Sequence, residues 1–292
     1  MNGKSLLIDK DKFKDIILAI AGKRNFRPAM VEKDFYLTLI LGNITTSLSD
    51  KLVFKGGSLL NKVYLDYHRL SEDLDFSVMG IEDLNSRSLR SKAMKPIRSR
   101  MVHFVKQIEL ICDNPKGEGF KNSTHYIFTL HYPSIITARL ENIKIEIGLR
   151  HPLADKPVHA IIKHFFQDPF TGNDLIVPQK ILCMSLSEAV AEKLRAALTR
   201  RDVAIRDYYD LWYIAESKFD FSNKRFLRIL KKKLADENFT GDYRINFGLP
   251  PDQIALLHRQ VKTDLMPVIR VGDMFDLDTT FERFNAIFTR IN

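Results

Sequence analysis

The strongest constraint on the fold is a change of apolar period along the chain. Residues 124–132 alternate, with Tyr126, Phe128, Leu130 and Tyr132 on one face, and residues 143–149 repeat the pattern with Ile143, Ile145, Ile147 and Leu149. Side chains two apart share a face in an extended strand, so both segments are expected to be half-buried strands. Beyond residue 175 the spacing becomes helical. Leu186, Val190, Leu194 and Ala197 form one stripe, and Tyr208, Leu211, Trp212 and Ala215 another. Two helices, over 9–22 and from Pro28 to Leu48, precede the strands. The expectation is an α+β chain with a mixed-sheet domain over residues 1–175 and an all-helical domain over 176–292, each long enough to bury its own core.

Within the first part, Leu52–Lys55 reads as a short strand, Gly56-Gly57-Ser58 as a tight turn and Leu59–Tyr64 as a helix. Backbone N–H groups at such a helix start attract phosphate, and glycine permits close approach. Asp73-Leu74-Asp75-Phe76-Ser77-Val78 then alternates as a strand, which puts the Asp73 and Asp75 carboxylates on one face. Hard oxygen ligands of this kind suit Mg²⁺, with Mn²⁺ as an alternative, while substrate phosphates and water complete the shell. Glu146 lies on the polar face of the 143–149 strand. As a third carboxylate it would allow a two-metal site. A lone D-x-D fits a solvated sheet edge paired with Arg69 or Lys62, and a lone Gly pair fits a capped turn. Their succession points instead to a phosphate cradle followed by a metal-binding pair.

The chain carries a net charge of +9, which favours polyanionic partners. Arg87, Arg90, Lys92, Lys95, Arg98 and Arg100 fall in an expected helix over 86–112 with no acidic residue among them. Such a run is either a solvated face or a surface for RNA phosphates; Lys231-Lys232-Lys233 reads as a weaker copy. Cys112 and Cys183 read as two buried free thiols, and His125 and His131 as structural. Taken alone, Lys193 reads as a surface lysine in an i,i+4 pair with Glu. Asp207 and Asp210 share a helix face, Lys33 and Asp34 read as capping a helix start, and residues 239–251 read as a loop. The sequence shows neither a membrane-spanning apolar run nor a signal-peptide pattern, so a cytoplasmic protein without a membrane partner is expected.

Four segments in order resemble the AbiEii family of nucleotidyltransferase toxins. They are Val31-Glu32-Lys33-Asp34-Phe35-Tyr36, Phe54-Lys55-Gly56-Gly57-Ser58, Arg69 through Asp75, and the pair Glu192-Lys193-Leu194-Arg195-Ala196 and Arg206-Asp207-Tyr208-Tyr209-Asp210-Leu211. The resemblance implies a DNA polymerase β-like nucleotidyltransferase fold followed by a helical bundle. It implies that Lys55, Gly56, Gly57 and Ser58 contact the NTP, that Asp73 and Asp75 bind Mg²⁺, and that Lys193 and one of Asp207 or Asp210 complete the site. It further implies a cognate antitoxin, a tRNA acceptor and a role in abortive phage defence. Two other readings stand beside it: transfer to a protein hydroxyl, and non-catalytic nucleic-acid binding.

Overall fold

The computed structural model describes residues 9–169, 171–239 and 249–289. The chain divides into two compact units, Met1–Leu153 with Pro157–Met184, and Ala154–Lys156 with Ser185–Asn292.

The first unit is built on one mixed sheet. Its strands are β1 (Leu52–Lys55), β2 (Leu74–Val78), β3 (Ile111–Cys112), β4 (Glu118–Phe120), β5 (His125–Pro133), β6 (Leu140–Gly148), β7 (Val158–Ile161) and β8 (Lys180–Cys183). Their order is β3-β5-β6-β2-β1-β8-β7, with β4 paired to β5. β2 runs parallel to β6, and β1 to β8, while β1 and β2 are antiparallel. Across the central strands Phe54, Phe76, Ile147 and Tyr126 fall in register, and all four are buried. The alternation read from the sequence thus becomes one apolar face. Helix α1 (Lys10–Arg24) starts at Asp9, whose side chain accepts the Lys12 N–H, and ends at Asn25 in the left-handed region. Helix α2 (Pro28–Ser47) begins with proline at its first turn, where the missing N–H costs nothing. It packs on the sheet through Tyr36, stacked on Tyr132 at 4.1 Å, and on α1 through Phe35, 4.7 Å from Phe13.

Two boundaries differ from the sequence reading. The basic helix α4 (Arg87–Gln107) stops short of residue 112, and Ile111–Cys112 pairs with β5 instead. Cys112 is therefore half-buried rather than buried; Cys183 is fully buried, and burial pushes its thiol up to about 12. Helical structure also begins later than residue 175, because β8, the partner of β7, comes first. Each has four residues, too few for a period to register, and their extended state comes from pairing with each other and with β1.

Among its described residues the second unit is helical: α5 (Leu186–Thr199), α6 (Ile205–Glu216), α7 (Lys224–Ala235), α8 (Pro251–Gln260) and α9 (Leu277–Thr289). Ser185 caps α5 by accepting the Glu188 N–H. Glu188 is buried and accepts from the N–H groups of Ala154 and Asp155, while Lys233 lies 2.7 Å away. Lys233 also pairs with Glu192 and is only 5% exposed. The Lys231–Lys233 run is therefore not a second basic surface, since its last member serves the core of this unit. The loop expected over 239–251 lies largely outside the described residues, and Pro251 already opens α8.

Candidate active site

β1 ends at Lys55, and the chain reverses at Gly56, whose φ of 76° lies in the left-handed region. A side chain there is excluded twice. The backbone disfavours it, and an added Cβ would stand 2.9 Å from the Cβ of Asp75. Gly56, Gly57 and Ser58 are consequently not a turn ahead of a helix but its first residues. Helix α3 (Gly56–Leu59) runs directly into a π-helical turn, Leu60–Tyr64.

Ser58 is buried, and its hydroxyl donates to the carbonyl oxygen of Asp73. Its observed task is to tie the turn carrying Asp73 to the start of α3. Asp73 immediately precedes β2, and its Oδ1 accepts the Lys144 N–H of β6 at 3.0 Å. Burial raises its carboxyl above the usual range, opposed by that N–H and by the charge of Lys33. Asp75, on β2, lies in register with Lys55 on one side and Glu146 on the other. Glu146 Oε2 is 3.2 Å from His125 Nε2, and this contact holds Glu146 below the ordinary carboxylate range. The Lys55 ammonium lies near Gly148, 3.9 Å from where a Cβ would stand there. One face of the sheet thus carries Lys55, Asp75 and Glu146 in a row across three adjacent strands.

His125, read from the sequence as structural, belongs to this constellation. The β5–β6 register sets it diagonally across from Glu146, and no spacing within the chain reports that pairing. Among the described residues no three Asp, Glu, His or Cys side chains are grouped closely enough to hold an ion by themselves. The expected convergence of three carboxylates is therefore absent: Glu146 meets His125, and Asp73 meets the Lys144 N–H. The donor chemistry still fits Mg²⁺, which is commonly held by one or two carboxylates with phosphates and water supplying the rest. The missing side chain at Gly56 lets the Asp75 carboxylate pack directly against the backbone at the start of α3.

Lys62, in the π-helical turn, is fully buried. Its Nζ lies 2.8 Å from Asp34 Oδ1, 2.9 Å from Thr38 Oγ1 and 3.0 Å from Tyr67 Oη. Burial lowers its pKa, and Asp34 opposes that shift. Asp34 is thus not a helix cap, because it sits inside α2 as the counter-charge of Lys62. Glu32 on the same helix is also buried and accepts from Ser134 Oγ and the Ile135 N–H.

In the second unit Lys193 Nζ lies 2.7 Å from Asp207 Oδ1 and 2.9 Å from Asp210 Oδ2, and Arg200 reaches Asp207 Oδ2 at 3.0 Å. Lys193 is therefore not the surface partner of a neighbouring glutamate. Asp207 and Asp210 share a face, as their spacing requires, and both spend it on Lys193.

A family profile described as nucleotidyl transferase AbiEii toxin, type IV TA system, matches residues 39–286. The chain belongs to this AbiEii toxin family. Membership makes it a nucleotidyltransferase that uses an NTP, and the toxin of a system with a cognate antitoxin. Two solved structures share the fold of this AbiEii protein. MenT4, a nucleotidyltransferase toxin from Mycobacterium tuberculosis H37Rv, is 19% identical with a TM-score of 0.61, over 94% of this chain and 89% of the other. JHP933 from Helicobacter pylori is 16% identical with a TM-score of 0.53, over 91% and 93%. No curated protein matches the sequence. Among the described residues no helix is long and apolar enough to cross a membrane.

Proposed function

We propose that this AbiEii protein uses Mg²⁺ to transfer a nucleoside monophosphate from an NTP to an RNA acceptor, with tRNA as the substrate class, in the cytoplasm. The nucleotidyltransferase domain corresponds to the first unit, which runs to Met184 and so extends past residue 175, and the helical domain to the second. The observation that carries the reading is the row Lys55, Asp75 and Glu146 across β1, β2 and β6, with the Gly56 reversal at its edge. Asp73 and Asp75 hold the metal. Lys55 and the backbone N–H groups of Gly56, Gly57 and Ser58 hold the triphosphate. Glu146 is the third acidic group and orients the acceptor hydroxyl, with His125 fixing its side chain. The roles of Lys193, Asp207 and Asp210 rest on the family.

When bound, the metal supplies charge neutralisation at the α-phosphate and at the leaving pyrophosphate. The chain contributes positioning for in-line attack rather than covalent chemistry. Lys55 compensates the negative charge of the phosphates, and Asp75 is kept in place by its neighbours across the sheet. Mn²⁺ satisfies the same oxygen donors.

The test is incubation with total RNA, Mg²⁺ and each NTP in turn, labelled at the α- or the γ-phosphate. Label from the α position is expected in RNA of tRNA size, and none from the γ position. Label from the γ position in any acceptor, or α label in protein alone, would contradict the reading.

A further inference from the structure

The basic run on α4 divides by what its side chains touch. Arg90 donates to the carbonyls of Leu84 and Asn122, and Arg100 to that of Leu48, so these two fasten the helix to its surroundings. Arg98 donates to the Ser91 carbonyl and stands 5.7 Å from the centre of the Tyr126 ring. Arg87, Lys92 and Lys95 are exposed and form no ion pair among the described residues. With Ser88, Ser91 and Arg98 they line an open groove of ≈ 580 Å³ that contains no acidic and no apolar residue. The whole helix carries seven Lys or Arg and no Asp or Glu, in a chain whose net charge is +9.

We infer that this groove of α4 is the docking surface for the phosphodiester backbone of the RNA acceptor. The inference rests on RNA being the acceptor class proposed above. Its residues recur at one-turn spacing along the helix, from Arg87 through Ser91 and Lys95 to Arg98. The stripe is about 16 Å long at 1.5 Å per residue. Unpaired cations and serine hydroxyls with no base-reading geometry suit backbone contacts, which set register and affinity without reading sequence. A protein partner would centre on a buried aromatic or aliphatic anchor, and the lining offers none. Arg98 is braced by Ser91 and Tyr126, whereas Arg87, Lys92 and Lys95 present exposed charges.

The experiment measures affinity for total tRNA by fluorescence anisotropy between 50 and 200 mM NaCl. It compares the wild-type chain, the charge-removing variant Arg87→Gln/Lys92→Gln/Lys95→Gln, and the charge-keeping variant Arg87→Lys/Lys92→Arg/Lys95→Arg. Three lost phosphate contacts should lower the slope of log affinity against log salt by about 2 to 3, so that over this range wild-type affinity falls roughly 20- to 40-fold further than that of the Gln variant. The charge-keeping variant should retain the wild-type slope. An unchanged slope in the Gln variant, or an equal loss in both variants, overturns the inference. Loss of affinity for the purified cognate antitoxin with an intact RNA slope also overturns it and assigns the groove to protein. If wild-type protein labels RNA but the Gln variant binds as before, the groove is wrong and the acceptor class stands. If the slope changes as expected but α label never enters RNA, the groove binds RNA and the acceptor class is wrong.

Discussion

Asp75→Asn should abolish nucleotide transfer while leaving the protein folded. The side chain is nearly isosteric and half-buried, so packing on β2 hardly changes. What changes is charge. The row across β1, β2 and β6 loses its central carboxylate, leaving an amide between the Lys55 ammonium and Glu146. An amide is a poor ligand for a hard divalent cation. Removing one electrostatic contact to a transition state typically costs about 10²- to 10³-fold, and losing a metal ligand should reach about 10³-fold or more in the rate of label transfer. Asp73→Asn should act in the same direction, because its amide oxygen can still accept the Lys144 N–H and so preserve the local fold. Rates from α-labelled NTP, read beside circular-dichroism melts, check this. A folded Asp75→Asn variant within about tenfold of wild type would remove Asp75 from the site.

Asp34→Ala should be among the most destabilising substitutions in the first unit. It strands the fully buried Lys62 ammonium with only Thr38 and Tyr67 as neutral partners. Breaking one side of a buried ion pair costs about 3–5 kcal/mol. For a domain of this size that lowers the melting temperature by roughly 6–20 °C. Lys62→Met alone should also destabilise, because the Asp34 carboxylate then lies buried without its counter-charge. Lys62→Met combined with Asp34→Leu should recover most of the loss, since an apolar pair can replace a buried ion pair at little net cost. Thermal melts of the three variants decide the matter. A single Asp34→Ala change that leaves the melting temperature where it was would show that Lys62 is not held by this pair. Activity should fall with stability in the single variants, because Lys62 and Ser58 share the α3 and π-helical segment that carries the glycine reversal.

The periodicities carried the fold class well. Ile143 to Ile147 and Tyr126 to Tyr132 lie on strands with their apolar residues buried, and the stripes of α5 and α6 face inward, with Leu186 and Trp212 half-buried and the rest buried. Of the D-x-D pair only Asp75 lies on β2; Asp73 stands just before the strand, so the period-two reading reached one residue too far. Illegible features depended on pairing between distant segments. His125 reaches Glu146 only through the β5–β6 register, Lys62 finds Asp34 across two elements, and Lys233 finds Glu188 between two helices. Charged residues look solvent-exposed in a one-dimensional pattern, and nothing local reveals that a distant counter-charge permits their burial. Ser58 makes the same point: no local pattern shows that its hydroxyl donates to a carbonyl 15 residues away.

The most direct test of the site is anomalous scattering from Mn²⁺ in crystals grown with a non-hydrolysable NTP. The metal should lie between the carboxylates of Asp73 and Asp75 and the triphosphate, with the phosphates against Lys55 and the backbone of Gly57. A metal and triphosphate bound elsewhere, leaving Asp73 and Asp75 engaged only with protein groups, would contradict the assignment.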